Sequence, residues 1–299
     1  MVENKQIAGT ALVLLGAIFW GVSGTVAQFL FQTKGFSTEW LTVVRLLAAG
    51  VALLTIARMK EGRKVWAVWK NKQEAISLIL FGILGMLAVQ YTYFAAIEHG
   101  NAATATILQY LAPALITCYL AIRSRRLPSF PISVSLVIAI IGTFLLVTGG
   151  NLQSLTISGW AIFWGVASAF ALSFYTLQPL KLLASWGARI VVGWGMLIGG
   201  FCFSFIHPPW QMEGEWSLSS SAAILFVIIF GTIIAFYFYL ESTKYIAASK
   251  VSILASVEPL SATFLSILWF QIPFGLPEWG GAILILITIT ILSIMKGER

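Results

Sequence analysis

The chain has 299 residues, of which 59% are hydrophobic and only 10% carry a charged side chain. Soluble domains have roughly 45–50% apolar and about 25% charged residues, so this composition excludes a protein that faces water on all sides. Aspartate is absent and the only two histidines are His99 and His207, which leaves little material for a metal centre or a catalytic triad.

Ten apolar runs are long enough to cross a bilayer, since a crossing helix needs about 20 mostly apolar residues. In chain order they are 8–31, 37–57, 75–96, 102–122, 131–149, 158–178, 188–206, 221–240, 248–270 and 278–295. The runs predict an all-α polytopic membrane protein with ten transmembrane helices.

The basic residues lie almost entirely on one side of these runs. All Lys and Arg residues except Lys34 and Arg45 lie near the termini or in and beside the connections that follow even-numbered runs. Because positive loops stay cytoplasmic, the net charge of +7 marks a membrane face and not a surface for nucleic acid. We expect a multi-pass protein of the cytoplasmic membrane with both termini in the cytoplasm.

An internal repeat relates the two halves of the chain. The stretch AIFWGV at 17–22 recurs letter for letter at 161–166, and at nearly the same offset Pro113 falls on Pro259. A period of about half the chain indicates a duplication.

Ten spans in two copies give five spans per copy, and an odd number forces the second copy to enter the membrane in the opposite orientation. The predicted units are therefore 1–150 and a second, inverted unit at 151–299. Inverted repeats are the architecture of many secondary transporters, which bind substrate near the midplane between the halves.

The residues that carry this repeat also resemble a known family. The FWG at 19–21, Arg45 in the second run, YFAAIEHGNAATATILQYLAP at 93–113 and YLESTKYIAASKVSILASVEP at 239–259 are similar to the two EamA repeats of the drug/metabolite transporter superfamily. The resemblance covers roughly residues 9–149 and 157–295. It implies a secondary transporter of amino acids, related metabolites, cations or drugs, and it favours export.

Arg45 is a charged residue well inside the second run, about 12 Å from its outer end at 1.5 Å per residue. A charge at that depth costs about 2.5–3.5 kcal/mol on insertion scales and normally faces the protein interior with a partner. Two interpretations remain open, an anchor for a substrate carboxylate and a structural ion pair or carbonyl clamp.

Glu258 is the only acidic residue deep inside a run, and Pro259 follows it. Desolvation favours the neutral carboxyl unless a cation approaches. Proline also frees the carbonyl of Ala255, four residues earlier. Glu258 is thus either a group that binds a proton or a cation, or a structural partner of Arg45.

Polar and aromatic side chains supply the other candidate binding residues. Gln109 and Tyr110 lie beside a kink predicted at Pro113, the repeat equivalent of the kink at Pro259, and Gln90 enters the same half of the membrane. Buried amides are costly in lipid, so they either bind substrate or join helices. Four aromatic residues either line the path, by stacking and cation–π contacts, or pack in the core: Trp20, Tyr93, Trp164 and Tyr239.

The sequence predicts no enzyme, with no catalytic residue, metal or cofactor. It contains no G-x-x-x-x-G-K-[ST] string, so a nucleotide-driven pump is excluded as well. The expected function is export of an amino acid or hydrophobic amphiphile by alternating access. The alternative is uptake of an organic cation such as a quaternary amine. Its predicted partners are a small-molecule substrate and the lipid bilayer, and both proton coupling through Glu258 and facilitated exchange fit.

Overall fold

The computed structural model describes residues 2–125, 130–150, 157–242, 245–246, 251, 254–255 and 257–296. Every regular element within these residues is a helix, which confirms the all-α prediction.

In the first half, the described residues form seven α-helices. They are α1 (Val2–Gln32), α2 (Thr38–Glu61), α3 (Lys72–Leu80), α4 (Ala88–His99), α5 (Ala102–Gln109), α6 (Ala112–Ser124) and α7 (Phe130–Thr148). A π-helical segment, Phe81–Leu87, joins α3 and α4 into one rod. A 3₁₀ helix, Gly62–Lys70, follows α2.

In the second half, seven further α-helices lie within the described residues. They are α8 (Gly159–Leu177), α9 (Leu180–Trp186), α10 (Ala188–Phe203), α11 (Leu218–Ile228), α12 (Ala235–Ser242), α13 (Val257–Phe270) and α14 (Leu276–Lys296). A second π-helical segment, Ile229–Ile234, joins α11 and α12.

Within the described residues, six helical rods are long and apolar enough to cross a membrane. They are Gln6–Gln32, Thr38–Lys70, Lys72–His99, Ala102–Ser124, Gly159–Leu177 and Leu218–Tyr239. Shorter apolar helices occupy the other predicted runs, at Ser133–Leu146, Ala188–Phe203, Val257–Phe270 and Leu276–Thr288. The chain is a multi-pass helical membrane protein, and the count of ten crossings stays a prediction.

The connection after α2, predicted as a charged loop, is folded as the 3₁₀ helix instead. Side chains three residues apart lie on the same side of a 3₁₀ helix, and Val65 and Val68 are both buried in this way. The carbonyl of Val65 also accepts a hydrogen bond from Trp194 Nε1 of α10 at 2.9 Å. Of the predicted run 248–270, residues 248–250, 252–253 and 256 lie outside the described residues.

The helix pairs repeat when the halves are exchanged. Helix α1 packs against α12 and α13, and its repeat equivalent α8 packs against their equivalents, α4 and α6, as well as against α5. Helix α2 packs against α10, and α7 against α14. The pair α2 and α10 is antiparallel, since Leu47 lies against Gly200 and Gly50 against Leu197.

Two apolar clusters close the opposite ends of α2. Around its beginning, Phe36 and Trp40 pack in a cluster with residues of α1, α4 and α11. Around its end, Leu53 and Ala57 pack in a second cluster with the 3₁₀ helix and α10. Arg45 lies between these clusters and is 5% exposed.

Candidate functional site

Four ionisable side chains from four other helical rods lie within electrostatic range of Glu258 in the interior. Glu258 of α13 interacts electrostatically with Arg45 of α2, Tyr93 of α4, Tyr110 at the junction of α5 and α6, and Tyr239 of α12. We call these five residues the central cluster. All five belong to the set of site residues predicted from the sequence.

Arg45 is held by the π-helical segment of the second half. Its Nε donates a hydrogen bond of 2.5 Å to Thr232 Oγ1, and its Nη2 lies 3.5 Å from the carbonyl oxygen of Gly231. The guanidinium carbon is 4.7 Å from the centre of the Phe94 ring, within cation–π range. Arg45 Nη1 is buried and has no hydrogen-bond partner among the described residues.

Glu258 is bound by a tyrosine of the first half. Its Oε2 accepts a hydrogen bond from the Tyr110 hydroxyl at 3.0 Å, and the same hydroxyl lies 3.0 Å from the carbonyl oxygen of Ala255. The ion pairs of the described residues are Lys34–Glu215 and Arg189–Glu61. Arg45 and Glu258 are therefore electrostatic neighbours without a direct salt bridge.

The two predicted tryptophans occupy related positions. The Trp20 ring lies 5.1 Å from Phe236 and 5.2 Å from Tyr239, and the Trp164 ring lies 5.5 Å from Tyr91, between ring centroids. Each tryptophan thus contacts the helix that follows the π-helical segment of the opposite half. Trp20 is joined to the central cluster through Tyr239.

Comparison with known proteins identifies the fold and the class. The model described as "EamA-like transporter family" matches residues 7–148 and again residues 159–294. The chain belongs to the EamA-like transporter family. It is 42% identical over 294 residues to the "Uncharacterized inner membrane transporter YicL" of Salmonella typhimurium, covering 97% of each chain. It is 22% identical to the "Uncharacterized transporter YwfM" of Bacillus subtilis, over 94% of this chain and 92% of that one.

A solved crystal structure also shares this EamA fold. It superposes with a TM-score of 0.62 at 17% identity and covers 99% of both chains. The central cluster takes residues from both EamA matches, since Arg45, Tyr93 and Tyr110 lie in the first and Tyr239 and Glu258 in the second. The candidate site therefore lies between the two EamA repeats.

The predicted glutamines are buried but lie apart from these contacts. Gln90 is 6% exposed and its Nε2 lies 3.9 Å from Met86 Sδ, one turn earlier on the same rod. Gln109 is 9% exposed, and no hydrogen bond from its amide is found within the described part of the EamA chain. Their convergence on the central cluster stays a prediction.

The two predicted kink prolines differ in what surrounds them. Helix α5 ends at Gln109 and α6 begins at Ala112, so the rod is interrupted just before Pro113. Pro259 lies in the first turn of α13. Residues 252, 253 and 256, on which a kink at Pro259 depends, lie outside the described residues.

Sequence reasoning missed the hydroxyl groups that hold the cluster. Thr232 accepts from Arg45, and Thr106 is hydrogen-bonded to the Tyr93 hydroxyl at 2.8 Å. Single threonines in apolar runs look like ordinary packing residues, and the only signal for Thr232 is its place after Gly231 in the repeat. Among the described residues, no group of His, Cys, Asp or Glu side chains is suited to hold a metal ion.

Proposed function

We propose that this EamA protein is a secondary transporter of a small zwitterionic metabolite, with an amino acid or a related hydrophobic amphiphile as substrate, and that it works by alternating access. In direction we propose export, which the resemblance to the superfamily favours. The proposal includes ten crossings in two inverted units, 1–150 and 151–299, a cytoplasmic membrane location with both termini in the cytoplasm, and no catalytic or nucleic-acid role.

The proposed substrate class rests on one observation, which is that Arg45 and Glu258 form no salt bridge with each other. Both lie in the central cluster, yet they do not pair with each other. Arg45 Nη1 lacks a partner among the described residues, and buried donors normally have one. A substrate carboxylate would supply that partner, while Glu258 would receive the substrate ammonium group. Arg45 and, once it has lost its proton, Glu258 give one cation and one anion in the same site, which fits a zwitterion.

The alternating-access part is supported by the exchanged helix pairs. Helix α1 against α12 and α13 corresponds to α8 against α4 and α6, so each repeat contacts the other through equivalent surfaces. Two such halves have a pair of related arrangements, one open to each side of the membrane.

Uptake of an organic cation is the second candidate, and one observation favours it. Trp20, Phe236 and Tyr239 form an aromatic group beside Glu258, with ring centroids 5.1 and 5.2 Å from Trp20. These rings pack edge-on or tilted against one another, and Arg45 adds a positive charge to the same cluster. Both features oppose a quaternary amine, so we favour the zwitterion.

Counterflow in proteoliposomes tests the substrate class. A panel of amino acids, the corresponding amino-acid amides and quaternary amines would be offered to the wild-type protein. We expect exchange of amino acids and weak exchange of the amides, which lack the carboxylate. Exchange of quaternary amines without exchange of amino acids would contradict the proposal.

The role of Arg45 is tested by its replacement. A hydrogen bond to a charged group is worth about 1.5–3 kcal/mol, so Arg45→Gln should lower amino-acid exchange by roughly tenfold or more and reduce the preference for the acid over its amide. Arg189→Gln is the matched control. Arg189 lies at the beginning of α10 and pairs with Glu61 at the end of α2, so this variant should keep the preference for the acid. An unchanged preference in Arg45→Gln would remove Arg45 from the binding site.

A further inference from the structure

The Tyr110 hydroxyl faces two oxygen atoms at the same distance. It lies 3.0 Å from the carbonyl oxygen of Ala255 and 3.0 Å from Glu258 Oε2. A phenol has one proton to donate, and an ionised carboxylate can only accept. One hydroxyl proton therefore cannot fully satisfy both oxygen atoms when Glu258 is ionised.

Pro259 cannot act as a backbone donor to the Ala255 carbonyl. In an α-helix the carbonyl of residue 255 would accept from the backbone N–H of residue 259, and proline has none. Tyr110 supplies the missing hydrogen bond from another helical rod. A carbonyl without a hydrogen bond is costly in the membrane interior. Loss of the hydrogen bond between Tyr110 and Ala255 would therefore destabilise the protein.

A proton on Glu258 removes the conflict. The carboxyl then donates its O–H to the Tyr110 oxygen, and Tyr110 donates its own O–H to the Ala255 carbonyl. Every group in the chain from Glu258 to Ala255 is satisfied, and no negative charge is buried. On deprotonation the proton leaves to water and one of the two acceptors loses its donor.

We propose that a proton on Glu258 completes the hydrogen-bonded contact between the two EamA repeats, and that Pro259 creates this requirement by leaving the Ala255 carbonyl to Tyr110. Tyr110 lies in the first repeat and both acceptors lie in the second. The arrangement seen in the structure is thus the proton-loaded one, and loss of the proton weakens the contact between α13 and the junction of α5 and α6. The inference rests on the proposed function only in treating Glu258 as part of the transport site.

Other charged and titratable groups around Glu258 are compatible with this proposal. Arg45, Tyr93 and Tyr239 interact with Glu258 electrostatically, but neither Tyr93 nor Tyr239 takes the place of Tyr110 as its hydrogen-bond donor in the described residues. Helix α1 meets α13 at Gly21, beside the Glu258 carbonyl, and its titratable residues lie only near its N-terminal end. Helix α5 itself contains no titratable side chain.

Infrared titration of the protein in lipid nanodiscs tests the proposal without a substrate. The C=O stretching band of protonated Glu258 is identified by its loss in Glu258→Gln, and its intensity is followed with pH. Pro259→Ala restores the N–H that bonds Ala255 and frees the Tyr110 proton for the carboxylate. The midpoint should fall by about one pH unit, equivalent to one hydrogen bond.

The decisive comparison is a double-mutant cycle. In the Tyr110→Phe background, Pro259→Ala should leave the midpoint unchanged, because no hydroxyl remains to be redirected. A shift of the same size with and without the Tyr110 hydroxyl would reflect altered helix shape and would overturn the proposal. So would an unshifted midpoint in Pro259→Ala.

Two further variants serve as controls for misfolding and for the loss of a tyrosine hydroxyl elsewhere. Pro259→Ser restores the same N–H and should reproduce Pro259→Ala if the alanine variant folds poorly. Tyr119→Phe makes the same chemical change on α6, where the hydroxyl bonds only Arg123 in the described residues. It should leave the midpoint of the titration unchanged, with either proline or alanine at position 259. Transport is measured separately, so normal titration with no exchange of amino acids would reject the proposed substrate and leave the proton-linked contact standing.

Discussion

Arg45 shows how a single buried cation is accommodated in this fold. Its acceptor, Thr232, donates its own proton to the carbonyl of Val227 at 2.9 Å, so the hydroxyl oxygen presents its lone pairs to Arg45 Nε. The Phe94 ring covers the guanidinium group. These contacts offset part of the roughly 2.5–3.5 kcal/mol that a charge costs at this depth, and Nη1 has no partner among the described residues.

Removing the Thr232 hydroxyl should therefore destabilise the protein. In Thr232→Val a buried donor of Arg45 loses its acceptor, which costs about 1–3 kcal/mol. We expect a lower Tm in thermal unfolding of the purified protein.

Thr55→Val is the control for this prediction. Thr55 is exposed on the same helix as Arg45 and its hydroxyl bonds only the Val51 carbonyl, one turn earlier, so its Tm should stay near the wild-type value. Equal Tm values for the two variants would show that Thr232 does not support the buried cation.

The 204–217 connection between α10 and α11 is held against the first half by both polar and aromatic contacts. It reaches across to the first half, where Glu215 pairs with Lys34 at 3.0 Å and the Pro209 carbonyl accepts from Trp40 Nε1 at 2.9 Å. The Trp216 ring lies 5.3 Å from Phe36 and 5.6 Å from Trp40. The Glu215 side chain is 67% exposed, and exposed ion pairs contribute only about 0–1 kcal/mol.

The aromatic contacts should dominate over the ion pair in this connection. An aromatic pair adds about 0.5–1.5 kcal/mol beyond the area it buries, and Trp216 makes two. We expect Trp216→Ala to increase the rate of limited proteolysis in 204–217 severalfold, while Glu215→Gln stays close to wild type. The opposite order would mean that charge, and not ring packing, holds the connection.

Two accessible positions test the topology of the whole molecule. In a variant with Cys118 and Cys202 replaced, Glu213→Cys should react with an impermeant maleimide added to intact cells. Lys64→Cys should react only after the membrane is permeabilised, because the basic residues around it predict a cytoplasmic face. Both positions are exposed. Labelling of Lys64→Cys in intact cells would contradict the orientation and the inverted relation of the halves.

At the same scale, the sequence predicted the helical runs and the residues of the central cluster but not how they are held. Long apolar runs are a direct consequence of the bilayer, and deep charges such as Arg45 and Glu258 are too costly to be incidental. The partners were not predictable in the same way. That Arg45 meets Thr232, and Glu258 meets Tyr110, depends on packing between residues more than 140 positions apart in sequence.

The sequence also did not predict which helical segments are π-helical or 3₁₀. A π turn holds one residue more than the α turn it replaces, and neither Phe81–Leu87 nor Ile229–Ile234 interrupts the apolar character of its run. The 3₁₀ helix at Gly62–Lys70 was missed for the opposite reason, since its lysines and arginine conceal the spacing of Val65 and Val68.

The two π-helical segments carry information about the history of the protein. They lie at matching places in the two repeats, with Gly85 in one and Gly231 in the other. A π turn within an α-helix contains one added residue, and two separate insertions at the same place are a less economical explanation than one. Their shared position is what a π turn already present in the single repeat before duplication would leave, and in the second repeat this turn now binds Arg45.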